Sequence, residues 1–267
     1  MWVAIVIGLS LSAAVSLLAV RLGVLTVDGG VASTAVGTAV FAAGGLRSSF
    51  VLMLFFVTSS ALSRGTAAAK SQRVGVSAKS ARRDAVQVLA NGGVPTAFAV
   101  IALIHASFPW QLPFAGAIAA ATADTWATEV GARSHSMPID IATWRRVSVG
   151  SSGAVTILGL VASGAGAAMI AIASAAAFDF DLSSSTAIAV GGVTGSLIDS
   201  ILGATVQEVR YCPRCLTLTE QTTHTLCGSA TRHTRGWRRF NNDAVNAIAS
   251  ACGSIATLGL HELLRRL

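Results

Sequence analysis

The stretch "LPFAGAIAAATADTWATEVG", residues 112–131, decides how the rest of the chain is read. As a helix it spans about 30 Å, the thickness of a bilayer's hydrocarbon core. Its first half carries no charge, yet Asp124 and Glu129 stand in its last turns. A carboxylate inside a bilayer costs at least about 2.5 kcal/mol on insertion scales, so it normally faces a partner, water or a metal ion. The stretch therefore reads as a membrane helix that keeps two acids for a purpose.

The chain as a whole supports that reading. It has 267 residues, 53% of them hydrophobic and only 12% charged, with a mean hydropathy of +0.67, far from the balance of a soluble domain. Apolar runs at 2–20, 29–46, 50–62, 85–106, 112–131, 155–177, 186–206 and 244–260 predict an all-α, polytopic transmembrane bundle of about eight helices. The first run lacks a basic start and a small-residue cleavage site before Arg21, so it reads as a mature helix. Gly, Ala, Ser and Thr inside the runs suit close helix packing in lipid. The sequence predicts one membrane domain, 1–267, with inserts at 64–84, 132–150 and 207–243; the first, rich in Lys, Arg and Ser, reads as a loop or an interfacial helix.

A net charge of +7 and a pI near 10.2 would suggest nucleic acid if position were ignored. With eight crossings, however, 16 of the 19 Lys and Arg fall on one side, leaving Arg47, Arg265 and Arg266 opposite. The positive-inside rule then puts the basic side in the cytoplasm and both termini outside, and no nucleic-acid partner is expected.

The 12 acids can be placed one by one. Asp28 precedes the second run and Asp84 the fourth, both in N-cap positions; Asp124 and Glu129 end the fifth; Asp199 and Glu208 bracket the end of the seventh; Asp243 opens the eighth. All gather toward the basic side, as do Asn91, Gln207, Asn242 and Asn246. Asp124 and Glu129 are turned about 140° apart and need not share a ligand, whereas Asn242 and Asn246 stack one turn apart. Asp199, Gly203 and Gln207 form a stripe whose glycine leaves room for an approaching group. Carboxylate and amide oxygens with no neighbouring His or Cys suit Mg²⁺. We assign Asp124, Asp199 and Asp243 as the metal-binding acids, with Glu129 as an alternative ligand or general base and Asn91, Asn242 and Asn246 as positioning groups. Lys70, Arg82 and Arg83 stand on the same side, and "VGSSGAV", 149–155, is expected to open a helix with Ser151 and Ser152 near a phosphate. Metal, cations and a greasy cavity together suit phosphoryl transfer to a lipid phosphate; composition alone does not separate that from ion transport.

The motifs "DGGVASTAVG", "QVLANGG", "ATADTWATEVG", "VSVGSSGAVT", "GSLIDSILGATVQ" and "FNNDAVN", in this order, resemble the integral membrane family called domain of unknown function 92 over nearly the whole chain. The resemblance implies a phytyl-phosphate kinase-like enzyme, converting an isoprenoid monophosphate to its diphosphate with a nucleoside triphosphate, CTP favoured. It also implies that Asp124, Asp199, Asn242, Asp243 and Asn246 line the site, with Asp28 and Asn91 nearby. No Walker motif is present. The alternatives are a transporter or channel, and a lipid cytidylyl or phospho-alcohol transferase, whose paired-aspartate signature is not apparent.

Residues 207–240 hold "CPRCLTLTEQTTHTLCG". Cys212, Cys215, His224 and Cys227, paired at two-residue gaps, have the spacing of a zinc knuckle, with His233 as an alternative fourth ligand. A closed site of this kind is structural, and a cytoplasmic position argues against a disulfide.

Overall fold

The computed structural model describes residues 2–74 and 82–266, with side chains for 2–66 and 82–266. Among these residues the chain forms seven helices: α1 Trp2–Arg21, α2 Val27–Val74, α3 Ala85–Ile104, α4 Gln111–Gly131, α5 Ile157–Phe178, α6 Leu182–Thr205 and α7 Asn242–Leu264. Six of them are long and apolar enough to cross a membrane; α4 is not in that group.

The helix count differs from the expected eight because the second and third apolar runs are arms of one element, α2. Its backbone leaves helical geometry only at Gly45, with φ 59° and ψ −144°, a conformation that glycine adopts without a Cβ penalty. The second arm turns back along the first: the Ser48 hydroxyl donates to the Val40 carbonyl, eight residues earlier, at 3.2 Å, where a straight helix would separate these residues by about 12 Å. The arms meet the same neighbour, since a Cβ on Gly37 would touch Ser12 of α1 and Arg64 donates to the Leu22 carbonyl. The second arm also continues to Val74, into the segment expected to be an insert.

The stretch 112–131 is the hub. Residues Pro113 to Ala123 of α4 are buried without interruption, because α2, α3, α5, α6 and α7 all pack around it. A helix apolar on every side belongs inside a protein, and its Ala and Gly content lets neighbours approach closely. Ser254 and Ser250 of α7 donate to the Pro113 and Ala117 carbonyls at 2.8 and 3.5 Å. A Cβ on Gly191 of α6 would lie 2.1 Å from Thr257 Oγ1 of α7, so the α4–α6–α7 junction tolerates nothing larger than glycine there.

The two ends of the bundle differ. One carries an exposed Arg47–Asp179 ion pair and an aromatic cluster of Trp110, Phe114 and Phe178. The other gathers the 22–26 turn, residues 82–84, the 132–156 loop and the 206–241 insert, tied by a backbone bridge between Leu25 and Arg83 and by Arg235, whose guanidinium donates to the Ala204, Gly203 and Ser152 carbonyls. Arg235 thereby caps the C-terminal end of α6, where unpaired carbonyls concentrate negative charge. The loop carries a two-stranded ribbon, β1 Ile139–Asp140 with β2 Ala154–Val155. The insert is a three-stranded antiparallel sheet of β3 Val209–Cys212, β4 Thr217–Thr219 and β5 Arg232–Arg235, in the order β4-β3-β5.

Local capping follows the sequence with two corrections. Asp84 caps α3 in a reciprocal capping box with Gln87, as its position suggests. Asp28 does not cap α2; Thr26 takes that place, its hydroxyl accepting from Gly29 N at 3.2 Å, and Asp28 instead accepts from the first amide of α3, Ala85 N, at 3.1 Å. The 149–155 glycine turn does not open α5 either. Thr156 caps that helix, accepting from Gly159 N at 3.0 Å, while residues 154–155 pair as β2, so those amides are not a free helix N-terminus.

Candidate functional site

Two acids from different helices meet because small residues bring the helices together. On α6, a Cβ at Gly195 would lie 2.5 Å from the Ala120 Cβ of α4; one turn further along each helix stand Asp199 and Asp124. Their side chains are in hydrogen-bonding contact. The Asp199 Oδ2 atom is sealed from solvent and has no hydrogen-bond partner among the described residues. An unsatisfied buried carboxylate oxygen is costly and marks a place where a proton or a cation belongs.

A third carboxylate comes from the insert. Glu220, just beyond β4, accepts at Oε1 from Gln207 Nε2 at 2.6 Å and from Ser152 Oγ at 3.1 Å, and lies within electrostatic range of both Asp199 and Asp243. It is crowded by protein yet open to solvent on one side. Burial, and then the charge of Asp243, push its pKa above the usual carboxylate value, while the Ser152 and Gln207 hydrogen bonds pull the other way. Asp243, at the start of α7, in turn faces Asp84. Asp199 is thus within electrostatic range of Asp124 and Glu220, and Glu220 of Asp243, with the 148–155 loop tied to the group through the Ser152–Glu220 hydrogen bond. The room left by Gly203 is filled by that loop, since a Cβ there would lie 2.9 Å from Gly153 N.

Glu129 stands apart, as the helix geometry requires. It is buried, accepts from the Thr66 hydroxyl of α2 and faces the Arg83 guanidinium. Burial pulls the Arg83 pKa down and Glu129 opposes that pull; the guanidinium also lies over the Phe55 ring, 5.8 Å from its centre. Asn91 belongs to this second region, its amide donating to the Gln87 carbonyl at 3.1 Å. The expected residues therefore divide into a chain of neighbouring acids contributed by α4, α6, α7 and the insert, and a second region at the start of α3 with Asp28, Arg83, Asn91 and Glu129.

Of the others, Asn246 is half-buried and Asn242 exposed on the first turns of α7. Ser151 pairs with Ser148 at 3.0 Å, and the exposed Arg82 covers Gly23 at the end of α1. The Lys70 side chain lies outside the described residues. Sequence reading missed Glu220, Thr66 and Arg235. Glu220 sits between the two halves of the Cys/His cluster, and nothing in its neighbours signals that the sheet turns it toward α6.

Cys212, Cys215, His224 and Cys227 do converge, their ligand atoms all within 4.8 Å of one another. The Cys212 and Cys227 sulfurs are 3.5 Å apart, and His224 Nδ1 is 3.3 Å from Cys227 Sγ; these separations suit a tetrahedral ion with bonds of about 2.0–2.3 Å. No disulfide joins them. Hydrogen bonds from Ser229 pull the Cys227 thiol down to about 6, toward the thiolate a metal needs. His233 is not the fourth ligand: its Nε2 lies 3.0 Å from the Gly236 carbonyl, outside the cluster.

Comparison with known proteins gives the family-level result. The sequence profile described as "Integral membrane protein DUF92" matches residues 10–254. Protein PGR of Arabidopsis thaliana is 31% identical over 214 residues, covering 70% of this chain and 74% of its own length. The uncharacterized membrane protein MJ0933 of Methanocaldococcus jannaschii is 32% identical over 181 residues, 66% and 72% of the two chains. No solved structure matches.

Proposed function

Because this chain belongs to the integral membrane family DUF92, we propose that it is a membrane kinase, transferring the terminal phosphoryl group of a nucleoside triphosphate, CTP favoured, to a polyprenyl or phytyl monophosphate. The observation that carries this reading is the Asp124–Asp199 contact with its sealed, unpartnered oxygen, extended by Glu220 and Asp243 into a set of hard oxygen donors. Asp124, Asp199, Glu220 and Asp243 fit Mg²⁺, which binds through carboxylates together with substrate phosphates. When bound, the ion would offset charge on the nucleotide's phosphate oxygens.

The chain's own groups supply positioning. Gln207 and Ser152 hold Glu220 by one oxygen, leaving the other for a ligand. Arg83, oriented by Glu129 and Phe55, receives the lipid phosphate, with Asn91 one helical turn beyond Gln87. A lipid phosphate oxygen attacks the terminal phosphorus, the bond to the departing nucleoside diphosphate breaks, and a lipid diphosphate results. The phosphate monoester is already ionised near neutral pH, so Glu129 has no proton to remove and acts by orienting Arg83. The Cys/His insert holds structural Zn²⁺ and keeps Glu220 in place. The excess of basic residues at this end supports a cytoplasmic face with both termini outside.

A transporter would keep its key acids near the bilayer midplane, whereas these crowd one end. The test is to incubate purified protein with γ-labelled CTP or ATP, Mg²⁺ and phytyl or geranylgeranyl phosphate, and to look for label in lipid diphosphate. No label with any pairing, together with solute flux in liposomes, refutes the kinase and favours transport.

A further inference from the structure

The bundle contains a cavity away from the acids, between α1, both arms of α2 and α3. Its volume is about 500 Å³, within the range of small-molecule sites. It is elongated: Leu46 and Phe56, both in its wall, are ten residues apart on one helical arm, about 15 Å at 1.5 Å per residue. Leu, Val, Met and Phe side chains form most of the wall, whereas Arg83, Gln87 and Asn91 stand together where α3 begins. It is a half-open groove: Leu11, Leu46 and Phe50 of its wall are also exposed on the outside of the bundle, so an apolar chain can enter it from the side. Ser16 also lines it, with a hydroxyl that is sealed and has no hydrogen-bond partner among the described residues.

A long greasy slot with a cation and two amides at one end matches one chemical class: a single apolar chain bearing a terminal anion. We propose that this cavity binds the chain of a single-chain lipid phosphate, with the phosphate held at Arg83 and the chain running between the arms of α2 toward Leu46. The inference rests on the kinase reading for the identity of the chain as an isoprenoid. Its geometry joins the two regions of the site: a phosphate at Arg83 lies beside Glu129, at the end of the bundle where the acids collect. The fold of α2 gives this arrangement a cause, because an arm that turns back at Gly45 brings Phe41 of the first arm and Leu46, Ser49 and Phe50 of the second to one wall.

The test uses binding alone, without nucleotide, so that it stands or falls separately from phosphoryl transfer. Purified protein in lipid nanodiscs is photolabelled with geranylgeranyl phosphate carrying a terminal diazirine, and the labelled peptides are mapped. The expected label falls on residues 46–53. Ser49→Trp should shorten the slot, weakening geranylgeranyl phosphate at least tenfold while leaving geranyl phosphate unchanged. Arg83→Gln should weaken geranylgeranyl phosphate at least tenfold but leave geranylgeraniol, which has no phosphate, unaffected. Label on the α5–α6 face, equal competition by two-chain phosphatidic acid or by inorganic phosphate, or a Ser49→Trp variant with unaltered chain preference would each overturn the proposal. Labelling as expected in a protein that transfers no phosphate would leave the cavity standing and sink the kinase; transfer with label elsewhere would do the reverse.

Discussion

Replacing Gly153 with Ala should damage the site although Gly153 carries no functional group. Gly153 sits at φ +81°, and a Cβ there would lie 2.4 Å from the Cβ and N of Ala204, at the end of α6. Left-handed geometry costs a non-glycine residue about 1–2 kcal/mol, and forcing an extra methyl against a backbone adds about 1–3 kcal/mol. The loop relieves the clash by lifting about 1 Å off α6 to reach ordinary contact distance, while the backbone strain at 153 remains. That motion carries Ser152 with it, stretching its 3.1 Å hydrogen bond to Glu220 beyond hydrogen-bonding range, and loosens the Arg235 contact with the Ser152 carbonyl at 3.3 Å. A displacement of that size in a positioning group costs on the order of 100-fold in rate. The assay is kcat/KM for transfer from CTP to geranylgeranyl phosphate, with the thermal midpoint of the detergent-solubilised protein recorded alongside. Gly164→Ala on α5, where a Cβ would meet nothing within 4 Å, is the control and should leave both unchanged. Full activity in Gly153→Ala would refute the idea that the 148–155 loop positions Glu220.

Three further outcomes are expected. Glu220 has a raised pKa, so the folded protein holds that proton more tightly than the unfolded chain and loses stability as pH rises through the raised value; metal-free wild type should lose melting temperature over that window, and Glu220→Gln should not, while binding Mn²⁺ about tenfold more weakly at neutral pH. Cys227→Ser should eliminate the zinc measured by atomic emission on the purified protein, and a chelator should lower activity in wild type only after zinc has left; full zinc content in the variant would dismiss the assigned cluster. Asp181 caps α6 with its pKa held at about 2, against an ordinary 3.8, chiefly by the Ser184 hydroxyl. Its contribution is complete above 3.8 and fades as pH falls toward 2, so Asp181→Ala should melt lower at neutral pH and show a flatter stability profile across that acid range.

Sequence reading found the helices where apolar runs are long and bounded, and missed what depends on contacts between distant segments. Asp124 and Asp199 were legible as a pair because charge inside an apolar run is costly wherever it occurs; that they touch follows from Gly195 against Ala120, which only the packed structure reveals. The gap at 47–49 reads as a loop between two helices, with Gly45 inside the first, and an apolar pattern cannot tell a loop from a helix that bends back on itself at that glycine. The spacing of Cys212, Cys215, His224 and Cys227 was readable because the ligands are local. His233 fell outside the cluster for the opposite reason: β5 pairing sets its direction. Glu220 illustrates the limit, a polar residue in a polar loop whose importance comes entirely from where the sheet points it.

The central claim, that carboxylates from α4, α6, α7 and the insert hold a divalent ion, is tested most directly by Mn²⁺ titration of the purified protein followed by electron paramagnetic resonance. Wild type should bind Mn²⁺ tightly at this site and release it to excess Mg²⁺, while Asp124→Asn and Asp199→Asn each abolish that binding without changing zinc content. Undiminished Mn²⁺ binding when both aspartates are replaced together would contradict the account.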